Sequence, residues 1–207
     1  MHSLLDLLKP EELIRWGGYV GLTLVIFAET GLLIGFFLPG DSLLVTAGLL
    51  ASQGLGELNI ALLGVLLSVA AIAGNSVGYA VGKTAGPRLF TRENSLLFNK
   101  RHLIRAHQFY EAHGGKTMVL ARFMPIVRTF VPVVAGMAEM DFRAFTIYNV
   151  GGGLLWIWSM LLVGFGLGRY VPGVAKHIEL MIVTVIFLSI LPGIIAWWRE
   201  RKKVSAI

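Results

Sequence analysis

The 207 residues are 56% hydrophobic and only 14% charged, with a mean hydropathy of +0.73. This composition excludes a soluble domain with a large core, and the absence of cysteine excludes disulfides and thiolate metal sites. The formal net charge is +6, but the basic residues cluster in segments 83–116 and 199–203, a pattern typical of cytoplasmic membrane-protein loops and not of a nucleic-acid surface.

The first half of the chain predicts two membrane crossings around one interrupted segment. Residues 1–15 mix acidic and basic side chains and do not form a signal peptide. We expect residues 16–34 to cross outward, residues 36–52 to dip into the membrane and return, and residues 58–82 to cross back. The last segment has no Asp, Glu, Lys or Arg and is long enough to cross about 30 Å of hydrocarbon as a helix.

The second half repeats this order after a basic loop. Residues 84–116 predict a basic amphipathic segment on the inner leaflet. Residues 117–137 predict a re-entrant hairpin, residues 144–168 and 180–198 predict crossings, and residues 199–207 form a basic tail. Such a hairpin is tolerated only where protein or water covers its polar backbone groups.

The two halves carry matching motifs. Pro39 and Gly78 in the first half answer to Pro125 and Gly164 in the second, and each pair is 86 positions apart. The prediction is an all-α integral membrane protein, a single domain over residues 1–207, with about four transmembrane helices and two opposed re-entrant hairpins in an inverted repeat (16–83 and 117–198). Both termini are expected to be cytoplasmic. The residues predicted to break the hairpins are Pro39, Gly40, Pro125 and Pro132.

Four charges lie at these breaks: Glu29, Asp41, Arg122 and Arg128. An arginine at the centre of a membrane helix costs about 2.5 to 3.5 kcal/mol on insertion scales, so such charges usually mark a functional site. Arg122 and Arg128 would lie on opposite faces of an unbroken helix, but a break at Pro125 brings them together. Two guanidinium forks suit a phosphate group, and a structural ion pair with Glu29 or Asp41 is the alternative.

The two acids have different alternative explanations. Asp41 follows Pro39-Gly40 and is placed to cap the returning helix. Glu29 lies inside an apolar run, where burial favours the protonated carboxyl and makes it a candidate proton carrier. An arginine close to Glu29 would instead keep it ionised.

Catalysis and metal binding are not indicated. His102, His107 and His113 do not share a helical face, so no metal site is expected. No Ser/His/Asp or Cys/His arrangement is present, and no cofactor motif is recognisable. The sequence therefore predicts neither an enzyme nor a cofactor.

Several stretches resemble the DedA family, also called the SNARE-associated or VTT-domain family. They are residues 29–31 (Glu-Thr-Gly), 36–44 (Phe-Phe-Leu-Pro-Gly-Asp-Ser-Leu-Leu), 78–82, 122–132 and 135–137, and the resemblance covers nearly the whole chain. It implies a multi-pass protein of the bacterial inner membrane with a role in envelope maintenance. It also implies translocation of undecaprenyl phosphate or proton-dependent transport, and its eukaryotic relatives resemble phospholipid scramblases.

The expected function is translocation of a polyprenyl phosphate or related phospholipid, with Arg122 and Arg128 holding the phosphate and Glu29 and Asp41 coupling transport to protons. The expected partners are membrane lipids and protons, and an oligomer is left open. One alternative is a proton-coupled exporter of small cationic or amphipathic compounds. Another is a scaffold for membrane-protein assembly that transports nothing.

Overall fold

The computed structural model describes residues 10–32, 38–54, 58–89 and 116–171, and these residues form helices and no strands. The helices are α1 (Pro10–Gly31), α2 (Gly40–Ser52), α3 (Ile60–Leu89), α4 (Lys116–Ala121), α5 (Pro125–Met137) and α6 (Phe142–Tyr170). The all-α prediction is thereby confirmed for this part of the chain. The amphipathic segment within 84–116, the crossing at 180–198 and the tail at 199–207 lie almost wholly outside the described residues.

The two long helices, α3 and α6, are the elements of the described chain that are long and apolar enough to cross a membrane. The side chain of Asn59 accepts from Ala61 N over 2.9 Å and so caps α3. Asp141 accepts from Ala144 N over 2.9 Å and caps α6 in the same way.

The long helices are antiparallel. The space beside Gly64 is filled by Trp158, and Asn75 lies against Asn149, so residue numbers rise along α3 as they fall along α6. We call the two ends of this helix pair the Asn59 end, where α3 begins, and the Lys83 end, towards which it runs.

Helix α1 runs in the same direction as α3. Just after the break in α1 at Gly18, the hydroxyl of Tyr19 accepts from Asn59 N over 2.6 Å. At its end, a Cβ placed on Gly31 would lie 3.0 Å from the Cα atom of Gly74, which is halfway along α3. Segment 16–34 was expected to cross the membrane outward and α3 to cross back, which would make the two helices antiparallel. The contacts show that they are parallel, so this expectation is wrong.

Helix α2 returns towards the Asn59 end, parallel to α6. The side chain of Asp41 accepts from Trp156, and Ser52 fills the space beside Gly168. Segment 36–52 was expected to supply both arms of a hairpin, but α2 forms one arm only. The first hairpin thus consists of α1 after its break at Gly18 (φ 48°) and α2, and Glu29 and Asp41 lie near its tip.

The second hairpin consists of α4 and α5, and it has the break that the sequence predicts. Helix α4 ends at Ala121 and α5 begins at Pro125, where a missing backbone N–H is harmless. Pro132 was expected to be a second break, but it lies inside α5 without ending it. Because Pro132 packs close to Gly78 of α3, at 3.4 Å from a Cβ placed there, its ring has a steric role in helix packing.

Glycines allow one helix of each hairpin to pack directly against the long helix of the other repeat. A Cβ on Gly48 would collide with the carbonyl oxygen of Leu161, and one on Gly164 with that of Val45, which fixes α2 on α6. This close approach is typical of small residues at helix interfaces in membranes.

The same pair of contacts recurs between α5 and α3. A Cβ on Gly136 would collide with the carbonyl oxygen of Tyr79, and one on Gly82 with that of Val133. The packing therefore has approximate two-fold symmetry, and it pairs Gly82 with Gly164. The sequence alignment pairs Gly78 with Gly164, so the structural match is displaced by one helical turn along α3.

Each hairpin has a core of its own. The core at the Asn59 end contains Leu22, Leu43, Leu67 and Trp156, and it joins α1, α2, α3 and α6. The core at the Lys83 end contains Tyr79, Met118, Ala135 and Phe145, and it joins α3, α4, α5 and α6. The hairpin tips meet between these two cores.

Candidate functional site

Arg128 joins the tips of the two hairpins. It lies in the first turn of α5 and donates from Nη1 to Asp41 Oδ1 over 2.7 Å and from Nη2 to Glu29 Oε1. Asp41 is in the first turn of α2, and Glu29 is near the end of α1. One guanidinium therefore holds three helices together at the depth of the middle of α3.

All three charged residues are buried. Glu29 has no exposed surface, Arg128 is 6% exposed and Asp41 is 8% exposed. A buried ion pair is retained only where geometry and further hydrogen bonds offset its desolvation. The fork of Arg128, with one nitrogen for each carboxylate, supplies this geometry.

Gly40 makes the space for Glu29. A Cβ on Gly40 would overlap the Glu29 carboxylate at Oε2. Among the hydrogen bonds of the described residues, Oε2 has no partner, and neither does Arg128 Nε. The backbone of α2 thus approaches the carboxylate closely because no side chain stands between them.

Trp156 is the fourth member of this cluster. Its Nε1–H donates to Asp41 Oδ1 over 2.8 Å, and its ring lies 4.5 Å from the guanidinium carbon of Arg128. The indole is wholly buried on α6. It therefore contacts the acid through a hydrogen bond and the base through a cation–π interaction.

Arg122 occupies the turn between α4 and α5, and its partners are neutral. Its Nη2 donates to the backbone oxygen of Asn149 over 2.9 Å and also to Asn149 Oδ1. Glycines at 152 and 153 let the guanidinium lie on α6. Arg122 is 4% exposed, and within the described residues it forms no ion pair.

An amide pair connects Arg122 to the long helices. Asn149 Nδ2 donates to the backbone oxygen of Ile72 over 3.0 Å and to Ser76 Oγ over 3.2 Å. The side chain of Asn75 contacts Asn149 and, in its alternative amide orientation, donates to the backbone oxygen of Thr30 over 3.1 Å. This network links α3 and α6 beside the charge cluster.

The two arginines lie on either side of the start of α5 at Pro125, and they face different partners. The predicted alternative, an ion pair with an acid, is realised by Arg128 and not by Arg122. The result is one neutralised guanidinium next to one that has only neutral partners in the described chain.

Asp41 does not cap α2 with its side chain. The cap position is Pro39, which makes no side-chain hydrogen bond, and the Asp41 carboxylate turns to Arg128 and Trp156. Capping therefore does not account for this acid.

Metal binding has no support in the described residues, where no three His, Cys, Asp or Glu side chains lie close enough to hold an ion. His102, His107 and His113 lie outside those residues.

Sequence reasoning missed Trp156 and Asn149. Tryptophans in membrane proteins commonly lie at the membrane interface, and the complete burial of Trp156 excludes both that position and a lipid-facing one. Asn149 carried a usable signal, because a polar amide inside a predicted crossing needs a partner.

The family model of the VTT domain matches residues 38–166, which include Asp41, both arginines and Trp156. The chain belongs to the DedA family. It is 48% identical over 187 residues to Protein DedA of Escherichia coli (strain K12), which covers 90% of this chain and 85% of that protein. Other relatives are named as membrane proteins. An uncharacterized membrane protein of Mycobacterium leprae (strain TN) is 42% identical, with 87% and 80% of the two chains covered.

The more distant DedA relative, inner membrane protein YqjA of Escherichia coli (strain K12), is 32% identical over 190 residues, covering 88% of this chain and 85% of that protein. No solved structure matches the chain.

Proposed function

We propose that this protein translocates a polyprenyl phosphate, undecaprenyl phosphate in particular, or a related phospholipid across the bacterial inner membrane, with coupling to protons. The observation that carries the proposal is the pair of buried guanidinium groups at the meeting of the hairpin tips, one held by two carboxylates and one by neutral groups. We propose transport without covalent chemistry, with membrane lipids and protons as the partners.

The helix contacts support a membrane placement that is part of the proposal. Helices α3 and α6 cross the bilayer, and the two hairpins enter from opposite faces and end at its middle. The distance along α3 from Asn59 to Gly74 is about 22 Å at 1.5 Å per residue, which fits a hairpin that stops short of the far face. The basic 84–116 segment is cytoplasmic in this placement, so the Lys83 end faces the cytoplasm.

This placement changes the expected orientation of the first helix. Because Tyr19 lies at the Asn59 end, the part of α1 after the break at Gly18 begins on the periplasmic side in this placement, whereas segment 16–34 was expected to begin at the cytoplasmic face. The second hairpin still enters from the cytoplasmic face, as the sequence predicts.

The phosphate is proposed to bind between Arg122 and Arg128. Arg122 needs only to exchange the neutral Asn149 for the anion, so it is the first point of attachment. Arg128 joins when it leaves its carboxylates, and two forks then surround the phosphate oxygens. The isoprenoid tail stays in the hydrocarbon, where it needs no partner from the protein.

Protons are proposed to control that exchange. Protonation of Glu29 and Asp41 removes the negative charges that hold Arg128, which frees the guanidinium for the phosphate. Deprotonation restores the ion pairs and expels the lipid. The proton gradient can then drive the headgroup in one direction.

Reconstitution in liposomes tests the proposal. Purified protein is incorporated into vesicles that contain undecaprenyl phosphate, and the rate of headgroup translocation is measured with and without a proton gradient. The Arg128→Ala variant is expected to lose translocation. The control is Arg143→Ala, which removes an exposed arginine at the start of α6. No translocation in folded wild-type protein rejects the proposal.

The arrangement of two carboxylates around one guanidinium also supports a second function, export of small organic cations. A cationic substrate can replace Arg128 between Glu29 and Asp41, since both carboxylates face it. Cation efflux in the same vesicles, unaffected by lipid phosphate, would favour this function.

A further inference from the structure

The indole of Trp156 contacts both members of the Arg128–Asp41 pair. Its N–H and Arg128 Nη1 donate to the same oxygen, Asp41 Oδ1, over 2.8 and 2.7 Å. Its ring also lies against the guanidinium face, 4.5 Å from the central carbon. No other described side chain contacts the pair in both ways.

We propose that Trp156 is a positioning residue that keeps Asp41 and Arg128 at the site while they separate and recombine. This inference rests on the proposed function, in which Arg128 leaves Asp41 to bind a phosphate. In this role Trp156 controls proton coupling and does not bind the lipid.

The chemistry of the two contacts supports this role. A proton that binds to Oδ2 of Asp41 removes the charge and weakens the pair with Arg128. Oδ1 is then a carbonyl oxygen, which still accepts from the indole N–H. The Asp41 side chain therefore keeps one partner in both protonation states.

The indole ring keeps Arg128 in place, as the indole N–H does for Asp41. A cation–π contact acts through the guanidinium face and leaves the N–H groups at its edge free to donate. The fork can thus exchange carboxylates for phosphate oxygens while its face stays on the indole.

The charged neighbours of Asp41 are few. Arg128 faces it from α5 and Glu29 from α1, and Arg122 lies beyond Arg128. Helix α6 contributes the indole. Removal of the indole N–H therefore takes one hydrogen bond from Asp41 without removing any charge from the site.

The indole proton gives a direct test that does not depend on transport. The full chain is labelled with ¹⁵N-tryptophan, reconstituted in nanodiscs and followed by NMR through a pH titration. The signal of Trp156, one of five tryptophans, is identified by its loss in Trp156→Phe. It is expected to shift with pH in the wild type and to stay constant in Asp41→Asn. A signal that does not titrate, or that titrates equally in Asp41→Asn, overturns the proposal.

Transport provides the second readout. Trp156→Phe keeps an aromatic face for Arg128 but removes the donor to a charged group, so gradient-driven transport is expected to fall about tenfold. Its pH profile is expected to move by about one unit. The KM for undecaprenyl phosphate is expected to stay within about twofold, because both arginines remain.

The matched control is Trp158→Phe, on the same helix, where the indole packs over Gly64 instead of the charge cluster. Both its transport rate and its pH profile are expected to match the wild type. A loss of rate in Trp156→Phe with an unchanged pH profile overturns the positioning role. A Trp156 signal that titrates with Asp41 in protein that moves no lipid phosphate keeps that role and rejects the proposed function.

Discussion

The guanidinium of Arg128 donates to the carboxylate of Asp41 over 2.7 Å, although 87 positions separate the two residues in the chain. Each residue lies in the first turn of the second helix of a hairpin, α5 for Arg128 and α2 for Asp41. The ion pair thus joins the first turns of corresponding helices in the two repeats.

The symmetry of the helices does not extend to the charges. The glycine contacts relate Val45 to Val133 and Gly48 to Gly136, a displacement of 88 positions. The same displacement places Gly40 opposite Arg128. At this position the second repeat has Arg128, and the first repeat has Gly40, which leaves space for the Glu29 carboxylate.

Arg128→Lys is expected to lower translocation at least tenfold while the protein stays folded. A lysine keeps the charge but loses the planar fork that reaches Glu29 and Asp41 together, and each hydrogen bond to a charged group is worth about 1.5–3 kcal/mol. The measurement is the translocation rate in liposomes. Arg143→Lys, at an exposed position of α6, is the control and is expected to be unaffected. Normal transport by Arg128→Lys would contradict the phosphate clamp.

Glu29→Gln is expected to uncouple transport from the proton gradient. Glutamine has the same size and still accepts from Arg128, but it carries no charge for a proton to remove. Translocation is expected to lose its gradient stimulation and to keep the rate measured without a gradient within about twofold. The control is Glu139→Gln at an exposed position. Full gradient stimulation in Glu29→Gln would remove this residue from proton coupling.

Gly40→Ala is expected to destabilise the protein by about 1–3 kcal/mol, because the new Cβ overlaps the Glu29 carboxylate and forces the hairpin tips apart. Thermal unfolding in detergent measures the change. Gly151→Ala adds the same methyl group to α6 where nothing lies within 4 Å, and it is expected to be neutral or slightly stabilising. Equal unfolding temperatures for the two variants would contradict the close packing at Gly40.

Much of the site could be predicted from the sequence, because burying a charge in a membrane protein costs free energy whatever the direction of the helices. That argument alone selects Glu29, Asp41, Arg122 and Arg128, and all four are buried at the hairpin tips. The break at Pro125 could also be predicted, since proline fixes the local backbone.

The arms of the first hairpin could not be predicted, for a physical reason. An apolar run such as 16–34 has the same composition whether it crosses the bilayer or turns back halfway. Only its tertiary contacts, Tyr19 with Asn59 and Gly31 with Gly74, show its direction. The register of the repeats was uncertain for a related reason, because glycines spaced four apart in α3 match equally well after a shift of one turn.

The direction of α1 leads to the last prediction, which concerns membrane topology. The chain has no cysteine, so single cysteines report the side of the membrane without background. Gly17→Cys lies next to the break in α1 at Gly18, with open space around it, and Tyr170→Cys replaces a residue that is 79% exposed at the end of α6. Thr84→Cys lies at an exposed position near Lys83.

A membrane-impermeant maleimide added to intact cells is expected to label Gly17→Cys and Tyr170→Cys but not Thr84→Cys. The reason is that α3 and the part of α1 after Gly18 begin, and α6 ends, at one end of the helix pair, while the basic 84–116 segment is proposed to keep the other end in the cytoplasm. Inverted membrane vesicles provide the control, because the pattern is expected to reverse in them. Labelling of Gly17→Cys together with Thr84→Cys in the inverted vesicles, and of neither in intact cells, would instead place Gly17 in the cytoplasm, and α1 would then cross the membrane on its own.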